Sequence, residues 1–321
     1  MMTKSNDLSK YNNRPQSGIS HWIEAMRLRT LPVSCAGVIA GCGVALANGG
    51  FNPAVAVICL VFAILAQISS NFANEYFDYR NGLDRKGRAG FRRGVTEGDI
   101  SPRAMLAATI LTLSAACLVG LSLIYWGGWI LLPIGCVIAV FALAYSAGPY
   151  PLSHHGLGDI AVIIFFGIVP VTLTAWLQHP FPSTFTRALL PSVGVGLMAA
   201  NVLIVNNYRD MEDDLAVNKR TTVVIFGRKV MATIYLMNVI LGCALICGMT
   251  GSEVTDAAIS YSIWSIGLLG VIAGAGIWRR MPRSSGTMLN ETLKQTAILL
   301  LAVTTLTTLL TAVDYMMTNT R

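Results

Sequence analysis

The chain has 321 residues, of which 54% are hydrophobic and 12% charged, and its mean hydropathy is +0.60. Soluble domains carry about 25% charged residues, so a water-soluble globule is excluded and an all-α, polytopic membrane protein is indicated. The net charge of +7 does not argue for nucleic acid as a partner. The basic residues sit in short stretches between apolar runs, where they report topology.

Those runs are continuous and long rather than alternating, which predicts helices in a lipid bilayer and not a β-barrel. The polar opening MMTKSNDLSKYNNRPQSG carries no apolar segment with a small-residue cleavage site. Residues 1–20 are expected to form a polar cytoplasmic tail and residues 21–321 a single transmembrane domain. A crossing needs about 20 apolar residues. About nine are predicted: 31–49, 54–77, 104–125, 128–147, 158–178, 187–208, 229–249, 258–278 and 294–315. With the N-terminus inside, 21 of the 23 Lys and Arg residues fall on the cytoplasmic side, leaving Arg187 and Arg321 outside. The seven cysteines lie in apolar runs without metal-type spacing and read as small hydrophobes.

In chain order, Arg27-Leu-Arg-Thr-Leu-Pro32 opens the first span. Its arginines suit the interface, and Arg29 also starts a segment able to reach an acidic mouth. The second span ends as Asn71-Phe-Ala-Asn-Glu-Tyr-Phe-Asp-Tyr-Arg-Asn-Gly-Leu-Asp84. On a helix, Asn71, Asn74, Glu75 and Asp78 share one face. Gly82 then breaks the helix and lets the loop turn Asp84 back. The loop continues with glycines at 82, 87, 90, 94 and 98 among Arg80, Arg85, Lys86, Arg88, Arg92 and Arg93. Backbone amides and guanidiniums together suit phosphate oxygens.

The third and fourth spans carry no buried charge and read as scaffold. The fourth exits through Tyr145-Ser-Ala-Gly-Pro-Tyr-Pro-Leu-Ser-His-His-Gly-Leu-Gly-Asp159, a loop without Lys or Arg. Its turn residues bring Tyr145, His154, His155 and Asp159 near the same mouth. The His pair reads as an ordinary loop feature and Asp159 as a partner of a helix N-terminus. The sixth span ends as Asn206-Asn-Tyr-Arg-Asp-Met-Glu-Asp-Asp214. Asn206, Asp210 and Asp214 share a face there, and Asn218-Lys-Arg-Thr-Thr222 adds cations. The last three spans read as scaffold.

Two acidic clusters and two cationic loops on one membrane face suit Mg²⁺ bound together with a diphosphate, since Mg²⁺ prefers a few carboxylates plus substrate phosphates. If the diphosphate belongs to a prenyl chain, the apolar spans offer its tail a groove. Metal and arginines stabilise the departing pyrophosphate, and aromatic faces such as Tyr76, Phe77 or Tyr145 shield the allylic cation.

The segments N-E-Y-F-D-Y-R-N-G-L-D, G-F-R-R-G-V-T-E-G, A-Y-S-A-G-P-Y-P…G-L-G-D and N-N-Y-R-D-M-E-D-D…K-R-T resemble the UbiA-type intramembrane prenyltransferases, most closely their naphthoate branch. R-T-L-P is similar too, and the likeness runs from Arg29 to about Gly227. The resemblance implies nine helices around a central cavity open to the cytoplasmic side, in a bacterial cytoplasmic (inner) membrane. It implies metal ligation by Asn74, Asp78, Asp84, Asp210 and Asp214, with those four aspartates and Tyr145 as the catalytic set. Diphosphate binding maps to Arg93 and Lys219, with Arg29, Arg88 and Arg220 also candidates. The implied reaction moves a polyprenyl group from polyprenyl diphosphate to an aromatic acid, 1,4-dihydroxy-2-naphthoate. CO₂ and pyrophosphate leave, giving demethylmenaquinone. Another acceptor, such as 4-hydroxybenzoate or homogentisate, is the nearest alternative; a cation-coupled transporter is the alternative from another class. Two positions depart from the family pattern: Glu75 stands where Asp is usual, and Asn218 where Gly often precedes Lys-Arg-Thr.

Overall fold

The computed structural model describes residues 18–86 and 90–319. Among them the chain is helical, with no strand. Eleven helices position the site: α1 Gly18–Ala25, α2 Leu31–Ala47, α3 Pro53–Arg80, α4 Gly94–Glu97, α5 Pro102–Ser122, α6 Leu131–Ala144, α7 Gly158–Gln178, α8 Pro182–Ala216, α9 Thr222–Glu253, α10 Ala257–Arg280 and α11 Met288–Asn319. Residues 1–17, most of the expected tail, lie outside the described residues.

Each of the predicted apolar runs falls in a helix. Eight helical stretches among the described residues, α1 with α2 counted as one, are long and apolar enough to cross a membrane. The run expected at 128–147 is shorter: α6 has 14 residues. The chain turns at Gly128 with φ +69° before it and at Gly148 with φ +92° after it. Several starts are capped as the sequence implies. Asn52 Oδ1 accepts from the amides of Ala54 and Val55 with Pro53 in the first turn of α3, and Ser101 does the same for α5 beside Pro102.

α8 runs through the middle of the bundle and packs on α2, α7, α9 and α11. Small residues let backbones meet, as in other membrane helix pairs. A Cβ on Gly167 of α7 would lie 2.4 Å from the Gly196 Cα of α8. One on Gly37 of α2 would lie 2.8 Å from the Phe166 carbonyl of α7. α7 widens into a π-type turn over Ile163–Ile168 at this crossing, the kind of bulge that accompanies functional sites. Two cavities result. One of 380 Å³ lies among α2, α3, α5, α6 and α7 and is almost wholly apolar. The other, 140 Å³ and much the more polar of the two, lies where the C-terminal end of α3 meets that of α8.

Candidate active site

The end of α3 presents its polar face as the i, i+3, i+4 spacing requires. Asn71, Asn74, Glu75 and Asp78 are all buried there, Glu75 at 0% exposure. Each has a defined task. Asn71 donates to the Met26 carbonyl. Asn74 Oδ1 accepts from Arg27 Nη2 at 2.6 Å and Arg93 Nη1 at 3.3 Å, while its amide donates to Ser146 Oγ at 3.0 Å. Arg27 reaches inward from a left-handed backbone, φ +52°, a strained geometry for a non-glycine residue that marks a held position.

Arg93 is the hub of this half. Its guanidinium lies 3.5 Å from Asp78 and 3.2 Å from Asp84 and also contacts Asn74. Asp84 is turned back beyond the helix end, past Gly82 at φ +68°. On its other side Asp78 faces His154 Nε2 at 3.6 Å. Arg93 is held from below: Glu75 Oε1 accepts the Val95 amide at 3.0 Å, in the first turn of α4, next to the arginine. The acidic side chain at position 75 therefore anchors the turn that carries Arg93.

The second half sits on α8. Arg209 Nε and Nη2 grip both oxygens of Asp210 at 2.7 Å, and the same guanidinium bonds Asn206 and Asn290. Phe91, from the loop after α3, lies under this guanidinium at 5.3 Å, a cation–π contact that crosses from one half to the other. Arg85 of that loop pairs with Asp213 as well. Lys219 Nζ lies 3.7 Å from Asp214. It is placed by a turn in which its amide donates to the Asp214 carbonyl and Asn218 adopts φ +56°. Asparagine tolerates that region better than any residue but glycine, so the departure at 218 keeps the loop shape.

The polar cavity is lined from both halves by Asn71, Asn74, Arg93, Asn206, Asn207 and Lys219. Asp78, Asp84, Asp210 and Asp214 lie behind this lining, with side chains between 1% and 6% exposed. Arg93 and Lys219 stand between carboxylates and cavity. Gln67, Ser70, Tyr145, Val162 and Phe166 line both cavities, so polar and apolar spaces meet along a seam with Tyr145 on it.

This architecture is shared with known proteins. The UbiA prenyltransferase family pattern matches residues 35–292. The chain belongs to the UbiA prenyltransferase family. An Escherichia coli relative named 1,4-dihydroxy-2-naphthoate octaprenyltransferase is 37% identical over 234 residues, 70% of this chain and 74% of its own. A Mycobacterium tuberculosis relative of the same name is 32% identical over 214 residues, 66% and 71% of the two chains. Among solved structures, a UbiA homolog from Archaeoglobus fulgidus bound to GPP and Mg²⁺ superposes with TM-score 0.60 at 16% identity, covering 88% of this chain and 98% of that one. The apo UbiA homolog from Aeropyrum pernix gives 0.64 at 15% identity, covering 90% and 98%.

Within this UbiA fold the expected residues divide. Asn74, Asp78, Asp84, Asp210, Asp214, Arg93, Lys219 and Tyr145 converge on or just behind the polar cavity. Arg29 does not line it: the side chain is exposed and stacks over Phe91 at 5.9 Å, whereas Arg27, two residues earlier, reaches the site. Arg220 is exposed and contributes a backbone bond to the His154 carbonyl. Arg88 lies outside the described residues. Tyr76 and Phe77 pack edge to face and line neither cavity, leaving Tyr145 as the one of the three expected aromatics in place. Arg27, Phe91, Phe166 and the Arg209 clamp were missed. Of these, Arg209 alone carries a sequence signal, its place beside Asp210.

Proposed function

We propose that this UbiA-family chain carries out Mg²⁺-dependent transfer of a polyprenyl group from polyprenyl diphosphate to 1,4-dihydroxy-2-naphthoate, with loss of CO₂ and pyrophosphate. The observation that carries the reading is the seam: a cationic cavity backed by two acidic motifs opens, past Tyr145, into an apolar cavity of 380 Å³. That juxtaposition suits an amphiphile with an anionic head and a hydrocarbon tail. The names of the curated relatives supply the acceptor.

The residues fit Mg²⁺ chemically. The donors are hard oxygens, from Asp78 and Asp84 in one half and Asp210 and Asp214 in the other. Mg²⁺ takes one or two carboxylates and completes its shell with phosphate oxygens, so a full cage of protein ligands is not required. When bound, Mg²⁺ offsets the charge that develops on the departing pyrophosphate.

Arg93 and Lys219, on the cavity wall, meet the diphosphate and hold it in place. The allylic C–O bond breaks and its electron pair leaves with pyrophosphate. Tyr145 and Phe166 face the resulting cation with their π-systems, and the apolar lining beyond the seam protects it from hydrolysis. The ring carbon bearing the carboxylate forms the new C–C bond. The C–CO₂ bond then breaks and returns its pair to the ring, so that no proton need leave that carbon. The product is the reduced form of demethylmenaquinone. In this frame the catalytic side is cytoplasmic and the N-terminus lies inside, as the distribution of Lys and Arg indicates.

The test is incubation of purified protein with Mg²⁺, a polyprenyl diphosphate and a panel of aromatic acids, followed by product mass. Prenylated, decarboxylated product from dihydroxynaphthoate is expected. Product from 4-hydroxybenzoate or homogentisate instead would reassign the acceptor, and Mg²⁺-independent cation flux across vesicles without product would indicate transport.

A further inference from the structure

The polar cavity contains one carboxylate that the metal and diphosphate chemistry does not use. Asp159, in the first turn of α7, lines the cavity beside Tyr145, Lys219 and Thr222. Its Oδ2 accepts the Thr222 hydroxyl proton, while its Oδ1 is buried without a hydrogen-bond partner among the described residues. The four motif aspartates each face an arginine or lysine at 2.7 to 3.7 Å. No such ion pair reaches Asp159 among the described residues. The α7 N-terminus eases a negative charge there, but it leaves the lone oxygen without a donor, which is costly for a buried acceptor.

We propose that Asp159 is an acceptor-binding residue, whose free oxygen takes a hydrogen bond from a ring hydroxyl of the aromatic substrate. Three observations favour this occupant over the others the cavity could hold. A diphosphate is repelled by an un-neutralised carboxylate. Metal is better served by the acids of the two motifs, from which Asp159 is separate. A phenolic hydroxyl is a neutral donor of matching polarity, and the position is right for a ring. Asp159 follows Gly158, whose Cβ position lies 3.5 Å from the Tyr145 hydroxyl. Asp159 and Tyr145 both line the polar cavity, and Tyr145 also lines the apolar one, so the carboxylate shares the space next to the seam, where a ring must lie to meet a prenyl chain. The inference rests on the proposed reaction for its class of acceptor, a hydroxylated aromatic acid.

The experiment is steady-state kinetics on purified protein with each substrate varied separately. Asp159→Asn is expected to raise the KM for the aromatic acid by about tenfold or more, as loss of a charge-assisted hydrogen bond does. The KM for polyprenyl diphosphate and the half-saturating Mg²⁺ concentration are expected to stay within about twofold. Thr222→Val, which keeps the carboxylate but removes its anchor, should raise only the acceptor KM, by a smaller factor, and Thr222→Ser should restore it. An unchanged acceptor KM in Asp159→Asn, or an equal rise for the diphosphate or Mg²⁺, overturns the proposal. If Asp159→Asn does not fold, an unchanged acceptor KM in Thr222→Val does so. If the wild type prefers another acid from the panel, the same split measured on that acid supports Asp159 while the naphthoate assignment fails. If no acid is turned over, equilibrium binding of dihydroxynaphthoate to wild type and Asp159→Asn decides it: weaker binding by the variant supports the proposal, and equal binding overturns it.

Discussion

The two acidic motifs read almost alike in sequence, yet they are built in opposite ways. The motif on α8 carries its own counter-charge: Arg209 precedes Asp210 and grips both of its oxygens, and Lys219 follows Asp214 by one short turn. The motif on α3 has no such neighbour. Asp78 and Asp84 depend on Arg93, brought in by the loop before α4, and His154 from a third segment lies 3.6 Å from Asp78. One half thus takes its cations from its own helix and the turn that follows, while the other is assembled from three separated stretches. A buried carboxylate left without its cation is strongly destabilising, so the α3 half is the more vulnerable to changes far from it.

Substitution can break that comparison. Asp78→Ala and Asp210→Ala should have the largest effects, each lowering kcat by about 10²- to 10³-fold at saturating Mg²⁺. If only one of them does so, the two motifs do not serve one site. Next come the two arginines, which should separate cleanly. Arg93 lines the cavity and Arg209 does not. Arg93→Ala should therefore raise the KM for polyprenyl diphosphate by about tenfold or more, whereas Arg209→Ala should chiefly lower the thermal midpoint, because it removes two charge-assisted hydrogen bonds from a buried carboxylate. Equal KM effects would mean that both cations meet substrate.

Glu75 gives a smaller and more specific effect. Glu75→Ala removes the anchor of the Val95 amide and loosens the turn that holds Arg93. The diphosphate KM should rise about fivefold, while the corresponding change on the α8 side, Asn218→Gly, should leave it untouched. The smallest effect belongs to that loop. Asn218→Ala places a β-carbon at φ +56° and should cost about 1 kcal/mol in stability, with no loss in Asn218→Gly, as a thermal melt would show.

Much of this arrangement was legible in advance because it follows from local chemistry. Long apolar runs mark helices whatever their partners, and Asn206, Asp210 and Asp214 share a face through helical periodicity alone. Asp84 was recoverable because Gly82 signals the break that returns it. What could not be read depends on where loops land in space. Both Arg27 and Arg29 precede the first span, and only the left-handed turn at Arg27 decides which reaches Asn74. Glu75 stood out only as a departure from the family pattern; its longer side chain ends on a backbone amide across a loop, a contact that no spacing rule contains. The seam, likewise, needs α3, α7 and Tyr145 at the end of α6 brought together.

The shortness of α6 has a consequence for the surrounding lipid. Its 14 residues rise about 21 Å, against a hydrocarbon thickness of about 30 Å. It forms one wall of the apolar cavity. At its entry Tyr125 and Trp129 are 85% and 76% exposed, as interfacial anchors are. A segment this short is matched by local thinning of the bilayer or by its flanking side chains reaching the interface, at a cost of a fraction of a kcal/mol for each ångström of mismatch. The mismatch thus falls at one wall of a hydrocarbon-lined space, which makes membrane thickness a variable of this protein's working environment.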